Sequence, residues 1–314
     1  MFNPEVKSKI DEDVCILISP DNDSYNYMCD CGEASGLSVK DCQNTKVIFI
    51  SHTHIDHFVN FDTILRHQIG IKRRVIICGP RGIIKQVLSR IQSYCWNLIA
   101  EDTIIYEVRE IQDNGIIKRA ELKPPFWDAS YIEDLNAEYI FETNKFQVFF
   151  TNLNHKTSSI AYLFKAHDSI KINIKDTGLK GGKWVNTLKE MYSLQQHDAV
   201  ITIDDKVFKA SDLFYLISVK KGETLGVILD HAASDENHDK IKELFSNVDT
   251  VYIESFYKNS DKSFAEDNFH SYSVASGEIM KICNVKEAIP VHFSRKYKEE
   301  DVEELISEFK DAFL

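Results

Sequence analysis

The chain has 314 residues, of which 43% are hydrophobic and 27% charged, with a formal net charge of −12. That balance describes a globular protein able to bury a sizeable core, and no apolar stretch is long enough to cross a membrane. The acidic surplus argues against a generally basic nucleic-acid surface, because affinity for polyanions comes largely from Lys and Arg neutralising phosphates. It leaves a phosphodiester substrate open, since carboxylates that hold metal ions inflate the formal count and the ions restore positive charge locally.

Residues 1–13 carry mixed charge with no basic segment followed by an apolar core, so no secretory signal is read and the expected location is the cytoplasm. Seven scattered cysteines fit a reducing compartment, and Cys29 and Cys31 are too close for an ordinary bridge. Apolar runs predict strands at 14–18, 47–50, 75–78, 147–151, 160–164, 226–229 and 250–253. Between them, 81–95 places Ile83, Ile84, Val87, Leu88 and Ile91 on one helical face, a second helix is expected from about 273 to 283, and Glu299–Phe313 carries an apolar stripe through Val302, Leu305, Ile306, Phe309 and Phe313. Within 165–221, Gly178, Gly181 and Gly182 precede an amphipathic stretch at 184–192 and a small hairpin around Ile201, Asp205 and Val207. This segment reads either as a cap over the site or as a plain surface insertion. With only 12 Gly and 6 Pro, nothing else divides the chain, and a single domain over 1–314 of layered α/β class is expected.

The densest chemistry follows the run at 47–50. His52, Thr53, His54, Ile55, Asp56 and His57 place four metal-grade ligands within six residues, at the C-terminal end of a strand buried on both faces. Imidazole and carboxylate together suit borderline cations such as zinc, manganese or iron. A His-rich surface loop can be accidental, but a full cluster on a strand end is rarely so. So many ligands suggest two ions about 3.5–4 Å apart sharing a carboxylate and a water, which makes hydroxide available near neutral pH. His155, Asp230 and His292 each end a later apolar run, and converging strand ends bring distant ligands to one rim.

These segments, in this order, resemble the metallo-β-lactamase superfamily and most closely its ribonuclease Z branch, the tRNA 3′ processing endonucleases. The resemblance spans about residues 25–313. Asp30-Cys31-Gly32-Glu33 is similar to that family's Asp-Cys-Gly-Glu turn, and His155-Lys156-Thr157-Ser158-Ser159-Ile160-Ala161-Tyr162 to its His-x-x-x-Ser-x-Gly-Tyr segment. Ile253-Glu254-Ser255-Phe256, His270-Ser271 and Val291-His292-Phe293-Ser294-Arg295-Lys296-Tyr297 resemble three further elements.

The resemblance implies a metallo-β-lactamase-like four-layer αββα sandwich. It implies a first metal held by His52, His54 and His155, a second held by Asp56, His57 and His292, and Asp230 bridging them, with zinc expected and manganese the alternative. A metal-bridged hydroxide would attack phosphorus, Asp56 would orient or deprotonate it, and His270 supported by Glu254 would protonate the leaving group. Ser294 and Arg295 are read as phosphate contacts, with a solvated surface role as the alternative for Arg295. A homodimer is the family's habit.

Three features depart from the family pattern. Nothing in residues 1–24 resembles its glycine-rich first strand. Leu229-Asp230-His231 stands where Gly-Asp-Thr is usual, so that His231 either crowds the site or offers another proton carrier. The stretch 173–220 has no long basic arm, its Lys175, Lys180, Lys183 and Lys189 being interspersed with acids. Three functions are therefore weighed: a phosphodiester hydrolase acting on precursor tRNA 3′ ends, a superfamily hydrolase of a small phosphodiester, thioester or lactone, and a non-catalytic metal-binding scaffold.

Overall fold

A computed structural model describes residues 1–175 and 177–314; Asp176, inside the 165–221 segment, lies outside the described residues. The chain divides into two compact units, one of residues 1–165 with 224–314 and one of residues 166–223 inserted into it. No helix among the described residues is long and apolar enough to cross a membrane.

The first eight strands, β1 (Pro4–Val6), β2 (Ile16–Ile18), β3 (Asn26–Cys29), β4 (Thr45–Phe49), β5 (Arg74–Gly79), β6 (Ile105–Ile111), β7 (Ile117–Leu122) and β8 (Ala129–Leu135), form one sheet in chain order. Strands β3 to β6 are parallel and the others antiparallel. A second sheet starts with β9 (Tyr139–Glu142), β10 (Phe146–Asn154) and β11 (Ser158–Ala166). The inserted unit holds β12 (Ser169–Ile172), β13 (Val200–Ile203), β14 (Lys206–Lys209) and β15 (Ile217–Lys220). The chain then returns through β16 (Thr224–Ile228), β17 (Thr250–Glu254) and β18 (Glu287–Val291), giving the order β18-β17-β16-β11-β10-β9.

The side-chain period of two along β4 explains the layering. Phe49 faces the second sheet, with its ring centroid 5.1 Å from Tyr162 and 5.2 Å from Phe164. Its neighbours Ile48 and Ile50 turn the other way and pack with Ile64 and Leu65 of the helix Phe61–Gln68 and with Ile83 and Val87 of the helix Ile83–Gln92. On the far side, Ile228, Val251 and Ile253 pack with Ile241 and Phe245 of Asp235–Phe245, Ile279 of Ser273–Ile282 and Phe309 of Glu299–Phe313. Helix, sheet, sheet, helix is the expected αββα sandwich. Gly226 lets the helix approach, since a Cβ there would stand 2.8 Å from the Phe245 ring.

The seven expected strands and the three helices form, with ends shifted by a few residues. Strands β6 and β7 carry no apolar run to announce them. One face of each is apolar, with Tyr106, Val108, Ala120 and Leu122 buried, while the other is charged. There the buried Glu107 accepts from Arg74 at 2.9 Å, Arg109 at 2.8 Å and Arg119 at 3.0 Å. Strand β18 contains Pro290, which a ladder tolerates because β18 is an edge.

The inserted unit has an apolar cluster of its own, from Trp184 and Leu188 of the helix Trp184–Ser193 to Ile201, Ile203, Leu213 and Leu216. Its hairpin β13–β14 turns at Asp204 and Asp205, both at positive φ, as a tight two-residue hairpin turn requires.

Candidate metal centre

The loop after β4 is clamped before it reaches its first histidine. Ile50 N–H donates to Cys78 O at 2.8 Å, Ile160 N–H to Ser51 O at 2.8 Å, and the Tyr162 hydroxyl to Ile50 O at 2.7 Å. Three histidines then have one ring nitrogen fixed from behind. The Ser51 hydroxyl donates to Asp30 Oδ2 at 2.5 Å, so the 3.1 Å contact from His52 Nδ1 to Ser51 Oγ is a donation by the ring. His57 Nδ1 donates to Asp30 Oδ2 at 2.6 Å, and His155 Nδ1 to the Phe269 carbonyl at 2.6 Å. In the neutral ring each bond leaves Nε2 as the lone-pair nitrogen, the tautomer a metal ligand needs.

Asp230, just past β16 and 1% exposed, stands between two groups of these rings. Its Oδ1 lies 3.2 Å from His57 Nε2 and 2.8 Å from His292 Nδ1, and its Oδ2 lies 3.4 Å from His155 Nε2 and 3.8 Å from His52 Nε2. Asp56, partly exposed, places Oδ2 3.5 Å from His57 Nε2 and 3.7 Å from His292 Nε2. His54 is exposed at the start of the short helix Ile55–Phe58, its ring 4.4 Å from His52 and 5.2 Å from His155. The ligand atoms of His52, His54 and His155 all lie within 4.8 Å of one another, as do those of Asp56, His57 and His292, and those of His52, His57 and Asp230. All seven residues expected to hold metal are thus brought together.

The donor set fits divalent cations. His52 Nε2 is buried without a hydrogen-bond partner among the described residues, a costly state unless something else satisfies it, and Asp230 Oδ1 approaches His292 Nδ1 and His57 Nε2 closely without the alignment of a regular hydrogen bond. Burial, with the His57 charge beside it, pushes the His52 ring down to about 2, so it is neutral. Burial works against charge on His57 and His292 as well, but Asp230 chiefly, joined by Asp30 at His57, holds both rings well above their ordinary value. Burial likewise opposes the Asp230 carboxylate, yet His292 and His57 hold it well below the usual range. The pocket therefore carries negative charge that draws protons onto two of its own ligands, the place a cation would fill.

Glu254 ends β17, fully buried. Its Oε1 accepts a short hydrogen bond from His270 Nδ1, while Oε2 accepts backbone N–H groups of His231 at 3.0 Å and Ser271 at 3.2 Å. Burial lowers the His270 ring's affinity for a proton, but the Glu254 charge outweighs it and raises the ring above its ordinary value. His270 Nδ1 is 3.8 Å from Asp230 Oδ2, and the ring stacks on Phe256 with centroids 4.0 Å apart and planes 8° from parallel. Ser294 is buried and its N–H donates to Phe256 O at 3.0 Å. The Arg295 guanidinium is engaged by Asp13, with Glu33 at 3.8 Å, on an exposed side chain.

Asp30, Ser51 and the Phe269 carbonyl were not singled out by sequence reasoning as supports of the ligands. The signal was present in Asp30-Cys31-Gly32, whose aspartate is fully buried and sits at φ +53. Gly32 is the close approach in that turn: a Cβ would stand 2.4 Å from Asp56 O and 2.5 Å from Asp13 Cβ. Gly32→Ala should therefore cost about 1–3 kcal/mol and shift the Asp56 loop. Thermal denaturation together with metal affinity checks this, and an unchanged melting temperature would speak against the close packing.

No protein-family model matches the chain. Ribonuclease Z of Borreliella afzelii (strain PKo) is 29% identical over 308 residues, covering 94% of this chain and 84% of its own. Among solved structures, human tRNase Z, short form, superposes with a TM-score of 0.56 at 13% identity over 94% of this chain and 93% of its own. The metallo-β-lactamase fold protein YhfI of Bacillus subtilis gives 0.57 at 13% identity over 99% and 94%. The chain has the metallo-β-lactamase fold, and its likeness in sequence to ribonuclease Z runs through nearly its whole length.

Proposed function

We propose that this chain, a ribonuclease Z-like hydrolase of the metallo-β-lactamase fold, cleaves phosphodiesters at a centre of two zinc ions, with manganese as the alternative, and that its substrate is the 3′ end of precursor tRNA. The observation that carries the reading is the division of Asp230, one oxygen toward His52 and His155 and the other toward His57 and His292. His52, His54 and His155 would hold one ion, Asp56, His57 and His292 the other, and Asp230 both. When bound, such ions supply an acidified water and positive charge for the phosphate oxygens.

The remaining work falls to side chains. Asp56, the partly exposed carboxylate of the cluster, orients the attacking water and takes its proton. His270 is the proton donor for the leaving oxygen: its Nδ1 is tied to Glu254, its Nε2 is the nitrogen left to act, and the buried carboxylate favours the protonated ring. Ser294 and Arg295 remain the candidates for phosphate contact, Arg295 only by exchanging Asp13 for substrate.

The test is cleavage of a precursor tRNA and of bis-p-nitrophenyl phosphate with Zn²⁺ or Mn²⁺. Both should be cut, and His270→Ala should lose about a hundredfold on the RNA, whose leaving alkoxide needs a proton. Wild-type rates in Asp56→Ala would overturn the mechanism. Cleavage of the small ester alone would favour the second reading, a small phosphodiester substrate, which the net charge of −12 and the acids among the lysines of 173–220 support.

A further inference from the structure

The residue after the shared aspartate is a fully buried histidine, His231, where the family pattern has a small hydroxyl. Its ring is turned back on the main chain, with Nδ1 2.9 Å from Leu229 O and 3.3 Å from Glu254 Oε2. A carbonyl oxygen only accepts, so Nδ1 carries the hydrogen and shares it between that carbonyl and the carboxylate. The His231 backbone N–H donates to the same Oε2 at 3.0 Å. One residue thus directs two donors at one oxygen of Glu254, while the other oxygen holds His270.

We infer that His231 is a positioning residue for proton donation: by clamping Glu254 Oε2 from main chain and ring together, it sets the carboxylate plane and so the place of the His270 imidazole. This rests on the reading of His270 and Glu254 as the donor pair. Glu254 has the Ser271 N–H as its other anchor on Oε2, at 3.2 Å, and Phe256 covers one face of the His270 ring. Neither fixes rotation of the carboxylate as a second donor from His231 does. Proton transfer is sensitive to such rotation, because a displacement of about 1 Å in a catalytic group can cost about a hundredfold.

Leaving-group dependence separates this role from a structural one. On thymidine 5′-p-nitrophenyl phosphate the leaving phenolate departs without a proton; on the 5′-phenyl ester it needs one. The ratio of the two rates in one preparation does not depend on the fraction of protein that is folded or metal-loaded. His231→Leu should raise the p-nitrophenyl to phenyl ratio about tenfold, and His231→Asn, which keeps a donor near Nδ1, should return most of it. His270→Ala should raise the ratio at least as much. If His270→Ala raises it and His231→Leu does not, the positioning role is wrong and the donor pair stands. If His270→Ala leaves it unchanged, the donor pair fails and this inference fails with it. Should His231→Leu not fold, His231→Val, which also lacks a donor, carries the same comparison.

Discussion

Asp230→Ala is expected to lower phosphodiester hydrolysis by at least about a thousandfold and to take bound metal from about two ions per chain to one or fewer. The effect is large because no other carboxylate among the described residues reaches both sets of rings. Asp56 is near His57 and His292 only, and Glu254 is 3.8 Å from His292 while engaged by His270. Without Asp230, four buried rings would face one another across a gap, and in the absence of metal the two held in the protonated state would lose their principal counter-charge. Elemental analysis of the purified variant reads the metal, and hydrolysis of bis-p-nitrophenyl phosphate reads the rate. Full metal content with full activity in the variant would overturn the bridging role of Asp230.

Asp30→Ala should weaken metal binding by about 10–100-fold and destabilise the fold by about 3 kcal/mol. This carboxylate is fully buried, and it takes the Ser51 N–H at 2.6 Å, the Ser51 hydroxyl at 2.5 Å and His57 Nδ1 at 2.6 Å. Alanine would leave those three donors facing a void, and buried donors without partners are costly. It would also free the His57 ring to turn and the Ser51 hydroxyl to release His52, so both sides of the centre lose orientation together. Asp30→Asn separates the contributions: it keeps the volume and one acceptor, so stability should recover more than metal affinity does. Isothermal titration with Zn²⁺ and thermal denaturation of the metal-free protein read the two effects, and equal metal affinity in Asp30→Ala and wild type would show that the orientation of His57 does not need this support.

The candidate site was more legible than the framework around it. A ligand cluster is local, so His52, His54, Asp56 and His57 stand out as candidates from spacing alone; His155, Asp230 and His292 share a place at the end of apolar runs, and only the resemblance to ribonuclease Z joined them to the cluster as candidate ligands. Strands such as β6 and β7 were not legible in this way, because contacts that join them to their neighbours, such as Arg74 and Arg119 to Glu107, link residues 33 and 12 positions apart in sequence. The inserted unit lies between these extremes: its helix at Trp184–Ser193 and its hairpin were visible as patterns, whereas the cluster that makes it a compact unit depends on how distant apolar side chains meet.

Residue type and local period determined by themselves which side chains could bind a cation and which face of each element would be apolar, since both are properties of a few neighbouring residues. Only the tertiary structure decided which nitrogen of each imidazole faces inward, which carboxylate stands between the two groups, and that His231 turns toward Glu254. Those outcomes depend on hydrogen bonds from partners up to 114 residues away, as between His155 and the Phe269 carbonyl, and no local pattern encodes a contact whose other half lies in a different element of the fold.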